Sequence, residues 1–187
     1  MNRSILVASL FAALSTTLQA SDFSLRSPEF EDGATLDARF EFSGFGCSGD
    51  NRSPALQWKG APPDTKSFAV TAYDPDAPTG SGWWHWSVIN VPAAVTSLPA
   101  GAGALGDAKL PPGARHVRID YGVAAWGGVC PPEGDRPHRY IFSVYALKVD
   151  RLDIPADATA ALAGYMINAN ALGKASLTTR YGRPRKP

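Results

Sequence analysis

Two histidine-bearing stretches hold most of the side chains that could do chemistry. In "YDPDAPTGSGWWHW", Asp74 stands at the end of an apolar run and His85 at the start of the next one. In "CPPEGDRPHRYIF", His138 is followed two residues later by Tyr140. Each stretch is a proline-rich turn that leads into a segment opening with a histidine and an aromatic residue. If the two segments converge, they form a small cup that contains an acid, two imidazoles and a phenol.

Such a cup can bind a small polar ligand. Histidine, tyrosine and backbone N–H groups donate hydrogen bonds to anionic oxygens, whereas an aspartate accepts them or orients a histidine. Tryptophan and proline walls add apolar contact. We therefore expect His85 and His138 to donate to an anion, Tyr140 to orient it, and Asp74 to act as acceptor or to orient a histidine. An acid–base role for an Asp–His pair stays open.

Other kinds of site lack their sequence signals. No closely spaced histidines indicate a metal site, no GxSxG elbow indicates a nucleophilic serine, and neither GxGxxG nor GxxxxGK[ST] indicates a nucleotide site. The third histidine, His116, lies among arginines in "GARHVRID", a context typical of a solvated loop. We expect no catalytic residue, no metal and no cofactor.

The elements that position these residues are mostly strands. Five runs have strand length, strand composition or period-two alternation: 35–42, 67–73, 85–91, 139–147 and 175–182. Pro75 cannot donate to a sheet, so the second run ends at Asp74. A hairpin between the second and third runs would bring Asp74 close to His85.

Alternation along the strands assigns the aromatic residues to faces. Side chains of a strand point alternately to opposite sides. Trp84 and Trp86 then share one face, which we expect to be the core, and His85 points the other way, into a cleft. On the later strand, His138 and Tyr140 share a face.

One helix is predicted late in the chain. Asp157 would cap it and Gly173 would end it. Between them, helical spacing links Ala158, Leu162, Tyr165, Met166, Ala169 and Leu172, of which Tyr165 and Met166 are expected to pack in the core. Many strands with one late helix indicate a mainly β fold of packed antiparallel sheets. Because no linker, repeat or charge block divides residues 21–187, we expect a single domain.

The composition and the N-terminal residues limit which partners and which cellular location we expect. The net charge of +1, without a run of one sign, gives no reason to expect nucleic acid or an anionic membrane surface as a partner. Residues 1–20 combine Arg3, the apolar run "ILVASLFAAL" and a small final residue, a pattern typical of a secretory signal peptide. The run is too short to span a membrane, which takes about 20 residues. We expect cleavage near Ala20 and a periplasmic or secreted protein.

Export changes how the two cysteines are interpreted. In an oxidising compartment, Cys47 and Cys130 are better explained by a disulfide than by a metal site. Two buried free thiols are the alternative.

Three motifs resemble a known family. "DPDAP…WWHW", "CSGDNRSPALQW" and "CPPEGDRPHRYIFSVYAL" are similar to the phosphatidylethanolamine-binding protein family, in its bacterial Raf-kinase-inhibitor-like branch, and the resemblance runs from about Phe23 to Arg183. It implies a β-sandwich-like domain with a large central antiparallel sheet, a smaller sheet and a few peripheral helices. It also implies a pocket for anions such as phosphate, acetate or a phosphoethanolamine head group.

The resemblance also implies which residues form the pocket. By motif position, its walls are Asp74, His85, Gly128, Pro131, Pro132, His138 and Tyr140, with Asp76 and Trp83 at its edges. Cys47 and Cys130 occupy motif positions that fit a bridge near the pocket. Two positions depart from the family pattern: Val129 stands where it has proline, and Ile119 where it has asparagine.

We therefore expect an exported, non-catalytic protein that binds a small anion or phosphate-bearing head group. The alternative is an inhibitor or regulator of a partner enzyme, of protease or kinase type, that acts through the pocket rim. An Asp–His hydrolase is a further alternative. The sequence leaves open whether the protein forms a homodimer.

Overall fold

The computed structural model describes residues 23–185. They form ten strands, one α-helix and a short 3₁₀ turn, Ala38–Phe40. In chain order the elements are β1 Ser24–Arg26, β2 Ser43–Gly44, β3 Cys47–Ser48, β4 Leu56–Lys59, β5 Ser67–Asp74, β6 Trp83–Pro92, β7 Ser97–Leu98, β8 Arg115–His116, β9 His138–Leu147, α1 Ala160–Asn170 and β10 Ala171–Tyr181. The predicted signal peptide lies outside the described residues.

A five-stranded sheet in the order β10-β9-β5-β6-β8 forms the centre of the fold. All its pairings are antiparallel. A three-stranded antiparallel sheet, β1-β4-β7, and a two-stranded one, β2-β3, accompany it. The expected mainly β, sandwich-like architecture with antiparallel sheets is thus confirmed.

The central sheet is covered on both faces. On one face the main core includes Trp58 from β4 and Phe142 from β9, both buried. On the other face a second cluster joins Ile89 of β6 to Ala163 and Ile167 of α1. Burial on both faces explains why β5 reads as an almost continuous apolar run and not as a strict alternation.

The strand expected at 35–42 is not formed. Thr35 and Glu41 each make a single bridge, and the residues between them include the 3₁₀ turn. The Asp37 carboxylate caps this turn by accepting the Arg39 N–H at 2.9 Å. The helical turn lets Leu36 and Phe40, four residues apart, enter the core together.

The helix is shorter than expected. Its N-cap is Thr159, whose hydroxyl accepts the Leu162 N–H at 3.2 Å, and not Asp157. It ends at Asn170, because β10 begins at the next residue. Tyr165 is 71% exposed, so its expected core position is wrong. The buried face of α1 is Ala160, Ala163 and Ile167, and two small alanines let the helix lie close to the sheet.

His116 is also placed differently from the expectation of a solvated loop. It lies in β8 opposite Val88 and is buried. Its Nδ1 lies 2.7 Å from Oδ1 of Asp107, and burial lowers the pKa of its imidazole. Within residues 23–185, no helix is long and apolar enough to cross a membrane.

Candidate ligand-binding site

A cavity of about 190 Å³ opens where β5 ends and where β6 and β9 begin. Both β6 and β9 pair antiparallel with β5, so they begin where β5 ends. Asp74 is the last residue of β5, Trp83 is the first of β6 and His138 is the first of β9. Its lining consists of Phe45, Asp74, Ala77, Pro78, Thr79, Trp83, His85, Tyr121, Cys130, Pro131, Pro132, His138 and Tyr140. Most of these are apolar or aromatic, and neither lysine nor arginine is among them.

Asp74 is a buried carboxylate whose hydrogen bonds come from the protein itself. Its Oδ1 accepts the backbone N–H groups of Asp76 at 2.8 Å and Ala77 at 3.1 Å. Its Oδ2 lies 2.8 Å from Nδ1 of His138. Pro75 ends the strand and bends the chain back, which brings these N–H groups onto the carboxylate. Asp74 therefore orients His138, one of the two roles that the sequence suggests for it.

His85 is held in one orientation by backbone carbonyls. Its Nδ1 lies 2.7 Å from the oxygen of Gly127 and 3.1 Å from that of Gly128. Burial lowers the pKa of His85, although the two carbonyls oppose this effect. A neutral ring with its proton on Nδ1 presents a lone pair at Nε2. At neutral pH, His85 thus offers the cavity an acceptor and not the donor that the sequence suggested.

Gly128 lies behind the cavity wall and is not part of the lining. Its carbonyl also accepts the hydroxyl of Tyr121 at 2.9 Å, and its N–H donates to Oδ1 of Asn51 at 2.7 Å. A Cβ at position 128 would lie 2.5 Å from the carbonyl oxygen of Phe40, so only glycine fits. Gly128 supports His85 and Tyr121 from outside the cavity.

A β-bulge at His85 changes the face assignments of β6. Ala72 pairs with Trp86, yet the next residue of β5, Tyr73, pairs with Trp84, so His85 is the extra residue. As a result His85 and Trp86 lie on the same face, and both rings approach Trp126, at 6.2 and 6.0 Å. Trp84 instead lies on the helix face. The expected core position is correct for Trp86 and wrong for Trp84.

Trp84 is half-buried between the sheet and the helix. Its ring lies 4.6 Å from that of Tyr73, and a Cβ on Gly164 of α1 would sit 3.6 Å from its edge.

Two tyrosines close the inner wall of the cavity. Tyr140 is buried, and its phenolic proton has no acceptor among residues 23–185. The backbone N–H of Cys130 faces the Tyr140 oxygen. Because an N–H group is a donor, it cannot accept the phenolic proton. Burial raises the pKa values of Tyr140 and Tyr121, and the charge of Asp74 adds to both shifts. Both phenols therefore keep their protons at physiological pH.

Tyr121 lies in the lining but is absent from the residues predicted by sequence. Its ring packs at 4.3 Å from Phe42 and at 5.3 Å from Trp83. It reaches the cavity from the loop between β8 and β9. The one signal for it is its place in "IDYG", two residues after Ile119, the position where the family pattern has asparagine.

A disulfide holds the outer rim of the cavity. Cys47 and Cys130 are bridged, with 6.0 Å between their Cα atoms, so the predicted disulfide is confirmed. The bridge fastens the hairpin of β2 and β3 to the segment that carries Pro131 and Pro132. Phe45 stands at the tip of this hairpin, 75% exposed, and borders the cavity.

Asp76 points away from the cavity. Its carboxylate accepts the Nε and Nη2 groups of Arg139, each at 2.8 Å, and the Arg139 N–H at 2.9 Å. These hydrogen bonds hold the pKa of Asp76 well below its usual range. A carboxylate committed to Arg139 fastens the turn after β5 to the start of β9, so Asp76 positions the wall without being part of it.

The structure thus brings most of the predicted site residues together. Asp74, Trp83, His85, Pro131, Pro132, His138 and Tyr140 line one cavity, whereas Gly128 and Asp76 lie outside it. That any of them binds a ligand stays a prediction. Among the described residues, no group of three histidine, cysteine, aspartate or glutamate side chains could hold a metal ion.

Comparisons with known proteins agree with this architecture. The family described as Phosphatidylethanolamine-binding protein matches residues 26–182. YbcL of Escherichia coli (strain K12) is 50% identical over 179 residues, covering 96% of this chain and 98% of that protein. A protein of Mycobacterium tuberculosis named putative lipoprotein LppC is 34% identical over 158 residues, covering 84% of this chain and 71% of that protein.

A solved structure extends the similarity to the fold. The crystal structure of Escherichia coli YbcL, described as a member of the mammalian PEBP family, superposes with a TM-score of 0.85 at 52% identity. It covers 87% of this chain and 99% of that one. The chain belongs to the phosphatidylethanolamine-binding protein family.

Proposed function

We propose that the protein binds a small ligand with a phosphate or other anionic head group in this cavity and does not catalyse a reaction. The observation that carries the proposal is the convergence of His85, His138 and Tyr140 on one small cavity with apolar walls. The family description, which names a phospholipid, supports a ligand of this class. Apolar walls with a few convergent polar groups are typical of small-molecule sites.

The chemistry of the lining favours binding over catalysis. The Cys130 sulfur is committed to the disulfide, and the Thr79 hydroxyl donates to the carbonyl of Gly82 at 2.5 Å. The alternative is that His138, oriented by Asp74, acts as the base for an attacking water. A screen of ester and phosphoester substrates tests this alternative, and we expect no turnover. Hydrolysis that disappears in His138→Asn would contradict a purely binding role.

Calorimetry tests the binding proposal. We expect heat of binding from phosphate or phosphoethanolamine at pH 6, and we expect the His138→Ala variant to lose it. His116→Ala is the matched control, because it removes a buried histidine that lies outside the cavity. Circular dichroism would show whether both variants stay folded. No heat from either ligand, or full binding by the folded His138→Ala variant, would overturn the proposal.

We also propose that the chain is exported to the periplasm or secreted, with cleavage after Ala20. The signal-peptide pattern of residues 1–20, the Cys47–Cys130 disulfide and the name of the lipoprotein relative support this location. Mass spectrometry of the protein from a periplasmic fraction should find Ser21 as the first residue. Protein that begins at Met1 and fractionates with the cytoplasm would contradict it.

A second candidate function is recognition of a protein partner at the cavity rim. Phe45 is the observation that favours it, because large exposed aromatic side chains are typical of contact sites. If the wild-type protein captures a partner of protease or kinase type, the Phe45→Ser variant should fail to capture it. Tyr165→Ser is the control, since Tyr165 is equally exposed but lies on α1. Capture that is unchanged by Phe45→Ser would exclude this rim as the contact.

A further inference from the structure

A second apolar depression lies next to the cavity. It is a groove of about 240 Å³, lined mainly by the loops before and after β8, and Tyr121 lines both the groove and the cavity. The buried Ala125 and Trp126 form the base of the groove, and the exposed Leu105 and Val123 form its rim. Among the described residues, no charged side chain lines it. The groove is therefore suited to an apolar group.

Aromatic side chains connect the cavity to the groove. Phe45 borders the cavity and stacks on Tyr121, with 5.7 Å between the ring centroids. The Phe45 ring also lies 5.6 Å from that of Phe42, which lines the groove. Together with Leu105 and Val123, these rings form an apolar surface that begins at the cavity and ends in the groove. Exposed apolar surface of this kind is typical of sites that bind an apolar partner.

Hydrogen bonds hold the loop of Leu105 against the base of the groove. This loop, 99–114, joins β7 to β8 and is longer than most connections in compact domains. The Gly103 N–H donates to the Ser53 hydroxyl at 2.8 Å, and the Gly103 carbonyl accepts the Trp126 N–H at 2.7 Å. A Cβ at position 103 would lie 2.4 Å from Cβ of Trp126, so the backbone packs directly on the tryptophan. The groove is thus part of the folded structure, as ligand sites usually are.

We propose that the ligand of the cavity carries an apolar chain and that this chain lies in the groove. The inference rests on the proposed function, since the anionic head group occupies the cavity itself. The chain leaves the cavity over Tyr121, beside Phe45, and packs between Leu105 and Val123. One groove accommodates one chain, so the ligand class is a phosphate group with a single alkyl or acyl chain. A simple phosphomonoester and a lysophospholipid, whose phosphate is a diester, share this chemistry.

Calorimetry with alkyl phosphates of increasing length tests the proposal. Methyl, butyl, hexyl and octyl phosphate, used below the concentrations at which they form micelles, share one head group. Burial of one methylene group is worth up to about fourfold in affinity, so octyl phosphate should bind at least about thirtyfold tighter than methyl phosphate. Octanol has the chain without the head group and should bind at least about tenfold more weakly than octyl phosphate.

Variants of the rim locate the chain. Leu105→Ser/Val123→Ser should reduce the gain from methyl to octyl phosphate by at least about tenfold, because the chain loses its apolar contacts. The gain is a ratio within one protein, so a general loss of binding does not imitate this result. Leu162→Ser/Leu172→Ser is the matched control and should keep the full gain. Both leucines are exposed to about the same extent as Val123 but lie on α1 and β10.

A lysophospholipid distinguishes the two sources of the ligand. Octanoyl lysophosphatidylethanolamine carries a chain of the same length on a phosphodiester. Tighter binding of this lipid than of octyl phosphate would support the chain site and indicate a lipid ligand. The reverse order would support the chain site and indicate a monoester.

The outcomes separate this inference from the proposed function. Equal affinities for methyl and octyl phosphate, or a gain that the rim variant keeps in full, would overturn the chain site and leave anion binding intact. Octanol that binds as tightly as octyl phosphate would contradict the head-group site, and binding of no alkyl phosphate would overturn both. A wild-type dimer that the rim variant dissociates, with no change in the gain, would assign the groove to a second copy of the chain and overturn the proposal.

Discussion

At the residue scale, two of the seven buried side-chain atoms that lack a hydrogen-bond partner in the described part of the chain belong to the cavity lining, on Trp83 and Tyr140. A buried hydroxyl without a hydrogen bond costs about 1–3 kcal/mol, so such groups are few in most proteins. Tyr140 carries this cost at the cavity wall, and Asp74 beside it carries none, because three N–H groups satisfy it. Because its hydrogen bonds are complete, the Asp74 carboxylate is suited to holding His138 in place. The Tyr140 hydroxyl still has a proton to donate and is therefore suited to binding a ligand.

Removal of the Tyr140 hydroxyl should lower the affinity for a ligand without lowering the stability of the protein by much. Tyr140→Phe removes a phenolic proton that has no acceptor among residues 23–185 and an oxygen that faces the Cys130 N–H, so we expect the free energy of unfolding to change by no more than about 1 kcal/mol. The affinity for methyl phosphate should fall by about tenfold, because the ligand loses a donor. Urea unfolding and calorimetry measure the two effects.

Tyr145→Phe is the control for this substitution. Tyr145 lies on the opposite face of β9 and packs with the helix cluster, so affinity should not change. A large loss of stability in Tyr140→Phe would show that its hydroxyl has a protein partner.

At the element scale, the sequence predicted the three strands that carry the site but not the bulge within one of them. Strand alternation correctly placed His138 and Tyr140 together, because β9 is regular there. It failed at Trp84, because an extra residue at His85 reverses the alternation, and no residue type marks the position of a bulge. Tyr121 was missed because it lies on a loop, where periodicity carries no information.

The ends of α1 show a similar limit of local sequence signals. Asp157 and Thr159 are both good N-caps, and helix propensity does not choose between them. The choice depends on tertiary pairing: the Ala160 N–H donates to the carbonyl of Arg118, and Arg118 bridges to Thr159, which fixes the first turn against the sheet.

The capping assignment can be tested with a matched pair of variants. Thr159→Ala should lower the free energy of unfolding by about 1 kcal/mol, because the Leu162 N–H loses its acceptor. Asp157→Ala should change it by less than about 0.5 kcal/mol, because its carboxylate makes no cap. Urea unfolding of both variants at one pH is sufficient. Equal losses, or the larger loss in Asp157→Ala, would place the cap at the earlier residue.

The disulfide joins two elements that are 83 residues apart in the chain. In the chain-entropy model, a loop of this length stabilises the native state by about 4.5 kcal/mol. The double variant Cys47→Ala/Cys130→Ala should lose about that much in urea unfolding. It should also bind methyl phosphate more weakly, because the hairpin that carries Phe45 is no longer fastened to the rim. A stability equal to that of the oxidised wild type would contradict this role.

At the scale of the whole molecule, the sandwich buries imidazoles in two separate places. His85 lies at the cavity and His116 against Asp107, at the edge strand β8 of the central sheet. Burial lowers the pKa of both below the usual 6.5. The pKa of Asp76 is also lowered, so its contribution to stability is likewise lost as the pH falls, but only below its ordinary value of 3.8. Stability between pH 7.5 and 5.5 therefore reports on the histidines.

We expect the protein to become less stable as the pH falls through 6.5. Below that value the unfolded chain binds protons at His85 and His116 that the folded protein does not, so the free energy of unfolding decreases. Each such histidine contributes a slope of about 1.4 kcal/mol per pH unit, and two give about 2.7. Urea unfolding at pH 7.5, 6.5 and 5.5 measures the slope, and His116→Asn should reduce it by about half. A stability that rises as the pH falls would mean that both imidazoles are charged in the native state.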